Sequence, residues 1–360
     1  MKKFIVCMVI AVVLAPLVFA QQSDPESHFA VETINNGRAV RITGYSGGRT
    51  TVNIPPRIQN LPVTEIGTNA FRSIRLTGVT IPNSVTTIGE AAFAQNQLTS
   101  VSIPNSVTTI GDHAFNNNQI TGLSIGNRVA TIGANAFFQN RLTSVTIPNS
   151  VTTIMEGAFA ENQLTGITIP NSVITIGYGA FQDNQLGSVS LGSRVSVIGN
   201  HAFFRNRLTG ITIPNSVTTI EAGAFAQNQL TSVSIGISVT TIGDGVFYQN
   251  RLTSVTIPNS VTTIGEGAFA ENQLTSVSIG SSVTTIGDGA FMDNQLTSVT
   301  IPNSVTTIGH AAFGYNRITS ITIGANVTGN AFDNNFAVFY NNNGRRAGTY
   351  TFSNGNWTRR

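Results

Sequence analysis

Apolar and polar positions repeat along this chain with a period of 22 residues. One position is always Phe, and a second position in the same unit is Asn. The Phe positions are Phe71, Phe93, Phe115, Phe137, Phe159, Phe181, Phe203, Phe225, Phe247, Phe269, Phe291 and Phe313. Self-similarity at a fixed period of this size is typical of a solenoid, in which each unit buries its apolar face only against its neighbours.

Each unit begins with a pattern that predicts one short strand. In the unit from 98 to 119, Leu98, Val101 and Ile103 are apolar, and Ser102 lies between the last two. This alternation predicts a strand with one buried side and Ser102 facing outward. Pro104 follows at the strand end, where the loss of a backbone N–H is tolerated. Stacked units would therefore form a parallel sheet of these LxxVxI strands on one face.

The rest of the unit supplies the core and closes the coil. Val107 and Ile110 are the next inward-facing positions, and Phe115 adds one large ring to the core of the coil. Asn118 lies where the chain returns toward the next strand, and Asn tolerates turn geometry while offering both a donor and an acceptor. The Asn column is therefore predicted to be structural. The predicted fold class is a β-rich repeat solenoid.

These residues carry a family resemblance. The pattern IPxSVTxIGxxAFxxNxL resembles the BspA-like class of bacterial leucine-rich repeats over roughly residues 50–332, although Asn stands where many members have Cys. The resemblance implies a right-handed, curved leucine-rich-repeat solenoid with a parallel sheet on one face. It also implies a secreted or surface protein, since several members act as adhesins or host-binding factors, and it implies no catalytic residue.

The chain divides into four predicted segments. Residues 1–20 resemble a signal peptide, with two Lys residues, an apolar run and Val18-Phe19-Ala20 before the predicted cleavage site. Residues 21–53 are predicted to form an N-terminal β cap containing a hairpin with an Asn-Gly turn. Residues 54–332 hold about 12 coils, and residues 333–360 are predicted to form a C-terminal β cap or tail. Export would place the protein outside the cell, at the cell surface or in the periplasm.

The composition gives no support for nucleic-acid binding, a membrane span, a metal site or catalysis. The sole cysteine and both lysines lie in residues 1–20, which leaves 17 Arg against 16 acidic residues, a net charge of +1. This balance gives no support for a nucleic-acid partner, and no second apolar segment has the length of a membrane span. His113 and His201 are four coils apart, too far to share a metal or a nucleophile. We therefore predict a protein without catalytic activity, metal site or cofactor.

Two surfaces are candidates for binding. The first is the outward side of the predicted strands, which is small, polar and uncharged: Ser100, Ser102, Ser144, Thr146, Ser188, Ser190, Ser232, Ser234, Ser254, Thr256, Ser276 and Ser278. The second is an aromatic–Arg edge, where a large residue after the core Phe precedes Arg by three positions: Phe138 and Arg141, Phe204 and Arg207, Tyr248 and Arg251. Cation–π contact would be consistent with that spacing. A solvated Arg beside a packed ring is the simpler interpretation.

The units also differ at one position after the strand. It is Pro in seven units, at 82, 104, 148, 170, 214, 258 and 302, and Gly in five, at 126, 192, 236, 280 and 324. Phe138, Phe204 and Tyr248 all lie in Gly units. One hypothesis is that loss of the Pro ring exposes apolar surface and that the larger side chain covers it.

The sequence thus predicts an exported, surface-associated binding protein. Its partner would be a host matrix protein, a glycan or another cell-surface protein, bound through many weak contacts along the solenoid. The alternative is a structural envelope or matrix component that associates with itself. A more remote hypothesis is recognition of a periodic lattice by the regular Ser/Thr rows.

Overall fold

The chain forms a parallel β-solenoid of about 13 turns with almost no helix. The computed structural model describes residues 22–332 and 335–360. The predicted solenoid fold is therefore confirmed, whereas the predicted signal peptide lies outside the described residues.

One row of short strands follows the predicted LxxVxI pattern, and we call its outward side the strand face. Its strands are β3 (Thr51–Asn53), β6 (Gly78–Thr80), β8 (Ser100–Ser102), β10 (Gly122–Ser124), β13 (Gly166–Thr168), β15 (Ser188–Ser190), β17 (Gly210–Thr212), β19 (Ser232–Ser234), β21 (Ser254–Thr256), β23 (Ser276–Ser278), β25 (Ser298–Thr300) and β27 (Ser320–Ile323). The sequence predicts one continuous sheet along this row, and that prediction is wrong. The strands pair two by two, for example β8 with β10 and β13 with β15.

The continuous sheet runs along a second row, which we call the Thr–Ile sheet. Most of its strands are two residues long: β7 (Thr87–Ile88), β9 (Thr109–Ile110), β11 (Thr131–Ile132), β12 (Thr153–Ile154), β14 (Thr175–Ile176), β16 (Val197–Ile198), β18 (Thr219–Ile220), β20 (Thr241–Ile242), β22 (Thr263–Ile264), β24 (Thr285–Ile286) and β26 (Thr307–Ile308). Every strand pairs in parallel with its counterpart one coil away. The sequence pattern predicts an inward-facing Ile110 but indicates no strand there.

The core is a column of phenylalanine rings enclosed by aliphatic side chains. From Phe71 to Phe332, successive rings lie 5.0 to 5.8 Å apart and within 20° of parallel. Val and Ile from both rows and the Leu at the start of each unit are almost completely buried around this column. Each Phe ring in this column stacks on the rings of the two adjacent coils. The core is therefore continuous along the solenoid, although each stacking contact joins only adjacent coils.

The Asn column is confirmed as structural. In the middle of the solenoid, Asn206 is 7% exposed, and its Oδ1 accepts the backbone N–H of Leu186 at 3.0 Å. Its Nδ2 donates to the carbonyl oxygens of Phe181 and Phe203 at 2.9 and 3.2 Å. The same arrangement recurs from Asn96 to Asn316, and we call it the Asn ladder. It joins each coil to the preceding one by pairing buried backbone groups that turns would otherwise leave unpaired.

The N-terminal end begins with a short 3-10 turn, Glu26–His28, and then forms the predicted hairpin. β1 (Phe29–Ile34) pairs antiparallel with β2 (Ala39–Tyr45), and Asn35 and Asn36 in the turn have positive φ. β2 then pairs with β5 (Leu61–Ile66), which also pairs with β4 (Arg57–Ile58) and joins the hairpin to the Thr–Ile sheet.

The C-terminal end contains a helix that the sequence did not predict. α1 (Phe336–Asn342) is followed by β28 (Gly348–Ser353) and β29 (Asn356–Arg359), which extend the strand row antiparallel to β27. Phe336 and Tyr340 share one face of the helix and are buried, and the Phe336 ring lies 4.8 Å from that of Trp357. The ends thus differ in construction, and the limits proposed for both caps remain predictions.

Candidate binding surface

The strand face presents the twelve predicted hydroxyl side chains to solvent. All twelve residues are exposed in the structure. Ten lie on strands of the face row, whereas Ser144 and Thr146 occupy the equivalent place in a coil that forms no strand there. The central apolar residues alternate with them and point inward, as in Val101 at 4% exposed. The structure therefore places this first candidate set at equivalent outward positions of six coils.

The hydroxyl groups of this surface have no partners within the described part of the molecule. Beside the Thr–Ile sheet the situation is opposite, since Thr108, Thr152 and Thr218 each donate to a backbone carbonyl oxygen of the preceding coil at 3.3 Å. Thr121 and Thr231, at the start of their units, do the same at 3.3 and 3.1 Å. The threonines of those rows are thus engaged in holding coils together. The strand face instead offers donors and acceptors that only water or a ligand can occupy.

Beyond the first pair, β3 with β6, the pairing of the face strands follows the Pro and Gly positions. A Pro unit followed by a Gly unit forms a strand pair in five places, and we call each such pair a dyad. In one dyad, Ile169 N donates to Ser190 O at 2.8 Å, and Asn171 Oδ1 accepts Ser193 N at 2.8 Å. A Cβ on Gly192 would lie 2.3 Å from the carbonyl oxygen of Pro170. Glycine is therefore required because the two backbones approach too closely for any side chain.

Between dyads the contact is of a different kind. Ser216, in the Pro unit that follows a dyad, donates its hydroxyl to Val195 O at 2.7 Å, and no face strand pairing spans this step in the described chain. The central residues of Gly units are accordingly half-buried, as at Val189 and Leu191. The structure thus gives the Gly positions a role other than the predicted one of exposing a flank to be covered by a larger side chain.

Two neighbouring hollows open on the strand face. The first, of about 760 Å³, is centred on Gly166, Ile167 and Thr168, and the second, of about 660 Å³, on Gly210, Ile211 and Thr212. Both share the half-buried wall formed by Val189 and Leu191, and no charged residue lines either one. Gly166 and Gly210 stand where most other units have Ser, so each hollow lies where an outward side chain is missing. That substitution was visible in the sequence, but its effect on the surface was not.

The aromatic–Arg edge is arranged differently from the prediction. Phe138, Phe204 and Tyr248 are half-buried, and the three paired Arg residues are exposed. In the described part of the chain the cation–π contact joins Phe204 to Arg205, whose guanidinium carbon lies 4.9 Å from the ring centre, and not to Arg207. Arg205 directly follows Phe204 in the chain and has a left-handed backbone.

Tyr248 bonds to an acidic side chain rather than to Arg251. Its hydroxyl donates to Glu271 Oε1 at 2.8 Å, across one coil. This hydrogen bond, with a smaller contribution from burial, raises the pKa of the Tyr248 phenol above its ordinary value of about 10. Phe204 and Tyr248 are therefore engaged in contacts within the protein, which makes the edge the weaker candidate for ligand binding.

Acidic and histidine residues form no metal-binding cluster in the described segments. Asp112, Asp244 and Asp288 each accept the backbone N–H of the next coil, at 2.7 to 2.8 Å, and so act as further links between coils. No group of three or more His, Cys, Asp or Glu side chains comes together there to hold a metal ion. No helix among the described residues has the length and apolar character required to cross a bilayer.

A comparison with models of protein families identifies the same repeats. The model of the BspA type leucine-rich repeat region matches six copies, which cover residues 64–186, 130–251 and 222–344. The chain belongs to the BspA-type leucine-rich repeat family. A search of curated proteins gave no match.

Solved structures show the same fold. A leucine-rich cell surface protein from Faecalibacterium prausnitzii A2-165 is 24% identical, with a TM-score of 0.51, and the match covers 91% of this chain and 98% of that one. A leucine-rich repeat protein from Bacteroides ovatus is 21% identical, with a TM-score of 0.56, and the match covers 86% and 90%. At these identities the likeness establishes the architecture and not the ligand.

Proposed function

We propose that this protein is a surface-associated binding module that attaches to a macromolecule through the strand face. The observation that carries the proposal is the contrast between the rows of hydroxyl groups. Threonines beside the Thr–Ile sheet are bonded to backbone carbonyls, whereas the twelve candidate side chains of the strand face are exposed and without partners in the described chain. A surface of this kind suits many weak hydrogen bonds to one long partner.

Three further points support this proposal. The chain belongs to a family of repeat proteins, and the strand face carries no charge that would restrict it to an ionic partner. The Faecalibacterium protein of the same fold is described as a cell surface protein. Placement of this chain at the cell surface, after export directed by residues 1–20, is part of the proposal, as is its attachment to a host matrix protein, a glycan or another surface protein. Several copies on one cell would add avidity.

The test is binding of purified residues 22–360 to an array of matrix proteins and glycans. A variant with Ser→Glu at 144, 188, 232 and 276 places four charges on the strand face and should lose binding. A control with Gln→Glu at 97, 163, 273 and 295 adds the same charge at exposed positions off this face and should keep it. Binding that both variants retain would contradict the strand-face assignment. Absence of binding together with concentration-dependent self-association would favour the structural alternative.

A further inference from the structure

The two hollows of the strand face lie at a fixed distance from one another. Ile167 and Ile211, at their floors, are equivalent residues two coils apart. Two coils correspond to about 9.6 Å at the usual spacing of paired strands. The step from β15 to β17 has no strand pairing in the described chain, so this value is a lower limit. The core rings give a slightly larger value, since Phe181, Phe203 and Phe225 follow one another at 5.4 Å per coil. A ligand that fills both hollows must therefore present two similar groups on one side, about 10 Å apart.

We propose that the paired hollows bind a proline-rich peptide segment in the polyproline II conformation. This inference rests on the proposed binding function of the strand face and names the class of partner. A polyproline II helix has three residues per turn and rises about 3.1 Å per residue, so residues i and i+3 point the same way about 9.3 Å apart. Apolar side chains at these two positions would enter the hollows over Ile167 and Ile211.

The other regular peptide conformations fit this spacing less well. In a β-strand, residues on one side are about 6.7 Å or 13 Å apart, and the residue at about 10 Å points to the opposite side. An α-helix presents a side chain at each turn of about 5.4 Å, and the intermediate one would meet the exposed rim formed by Ser188 and Ser190. Only the polyproline II helix leaves that rim free while filling both hollows.

Charge and hydrogen bonding agree with the same choice. No charged residue lines either hollow, so a neutral segment matches the surface better than an acidic or basic one. A polyproline II backbone has no internal hydrogen bonds, and its carbonyl groups need donors. Thr168, Ser190 and Thr212 line the hollows with exposed hydroxyl groups that have no partner in the described chain and can donate to those carbonyls.

The test uses two labelled peptides of the same composition and fluorescence anisotropy with purified residues 22–360. One peptide carries Leu at every third position between prolines, and the other carries the same Leu residues at alternating spacings of two and four. The first should bind at least roughly tenfold more tightly, because only it can occupy both hollows at once. Equal affinity for the two peptides would overturn the spacing argument.

Variants locate the binding. Gly166→Gln with Gly210→Gln fills both hollows. The nearest atom to a Cβ at either position is a Ser hydroxyl oxygen at 3.3 Å, at the end of a side chain that can shift, so folding should persist. This double variant should bind the first peptide at least roughly tenfold more weakly. Gly122→Gln is the control, since Gly122 holds the same outward strand position, there in the second strand of a dyad, and lines neither hollow. Equal loss in the control would refute the site.

The array distinguishes this proposal from the broader one. If neither peptide binds while strand-face binding to an array component persists, the peptide inference is wrong and the proposed function stands. Binding of an uncharged oligosaccharide that Gly166→Gln with Gly210→Gln abolishes, without peptide binding, would assign the hollows to a glycan instead. If neither the array nor the peptides bind, both proposals fail.

Discussion

Replacement of Asn206 by alanine should destabilise the solenoid by about 2–4 kcal/mol. The side chain is 7% exposed and makes four hydrogen bonds, one through Oδ1 and three through Nδ2. Alanine removes all four while leaving the backbone free to keep its path. The variant therefore isolates the contribution of one rung of the Asn ladder.

The magnitude follows from which groups lose their last partner. Leu186 N–H has Asn206 Oδ1 as its partner at 3.0 Å and becomes an unpaired buried donor, which costs about 1–3 kcal/mol. The carbonyl oxygens are less affected. Phe181 O still accepts from Asn184 at 3.2 Å, and Phe203 O still accepts from Asn228 at 2.9 Å. Weakening of these shared bonds adds a smaller amount, of order 1 kcal/mol in total.

The assay is urea unfolding followed by circular dichroism, with Asn149→Ala as the control. Asn149 is exposed and forms no hydrogen bond through its side chain in the described structure, so its loss should change the unfolding free energy by less than about 0.5 kcal/mol. Asn206→Ala should lower the unfolding free energy by several times that amount. If the two variants are equally stable, the argument that the Asn ladder pairs essential backbone groups is refuted.

Three further predictions concern the core, the dyads and the edge. Phe203→Ala should lower the free energy of unfolding by about 3–5 kcal/mol, because it removes one ring from the middle of the stack. An unchanged thermal unfolding transition would show that the ring is dispensable. Gly280→Ala should cost about 1–3 kcal/mol, since its Cβ would lie 2.3 Å from a proline carbonyl oxygen. Gly187→Ala, whose Cβ has no contact closer than 3.7 Å, should leave the free energy of unfolding unchanged. If Gly187→Ala and Gly280→Ala destabilised the protein equally, the close approach of the backbones at Gly280 would not be the cause. Glu271→Ala should lower the pKa of Tyr248, measured by phenolate absorbance, because it removes the hydrogen bond to Glu271 on which the raised value first depends. The hydrogen bond should stabilise the fold fully below about pH 10, and this stabilisation should be lost as pH rises through the pKa of Tyr248 in the folded protein. An unchanged Tyr248 titration in the Glu271 variant would contradict the role given to this hydrogen bond.

Much of the fold could be predicted because each unit repeats the same physical instructions. The invariant Phe and Asn columns define the coil length, and the alternation at Leu98, Val101 and Ile103 identifies the face strand. The structural role of Asn118 followed from its chemistry, since an amide with a donor and an acceptor is costly to bury unpaired. Exposure of the twelve hydroxyl residues also followed from the strand period.

Other features were not accessible to pattern reasoning. The Thr–Ile strands are only two residues long, too short for alternation to be recognised, and they form a sheet only because equivalent residues of successive coils align. α1 has apolar residues at Phe336, Phe339 and Tyr340, a helical spacing, but its seven residues offer barely two turns of pattern. The dyads depend on the distance between Gly192 and Pro170, which no single unit reveals.

The dyad makes 44 residues, and not 22, the natural step by which such a gene can lengthen or shorten. Duplication of a whole dyad would reproduce every junction already present, with the Phe stack and the Asn ladder unbroken. Gain of a single Pro unit instead places two Pro units side by side, as at Pro148 and Pro170, where the larger hollow lies. Copy-number variation would therefore alter the length of the strand face, while both ends stay the same.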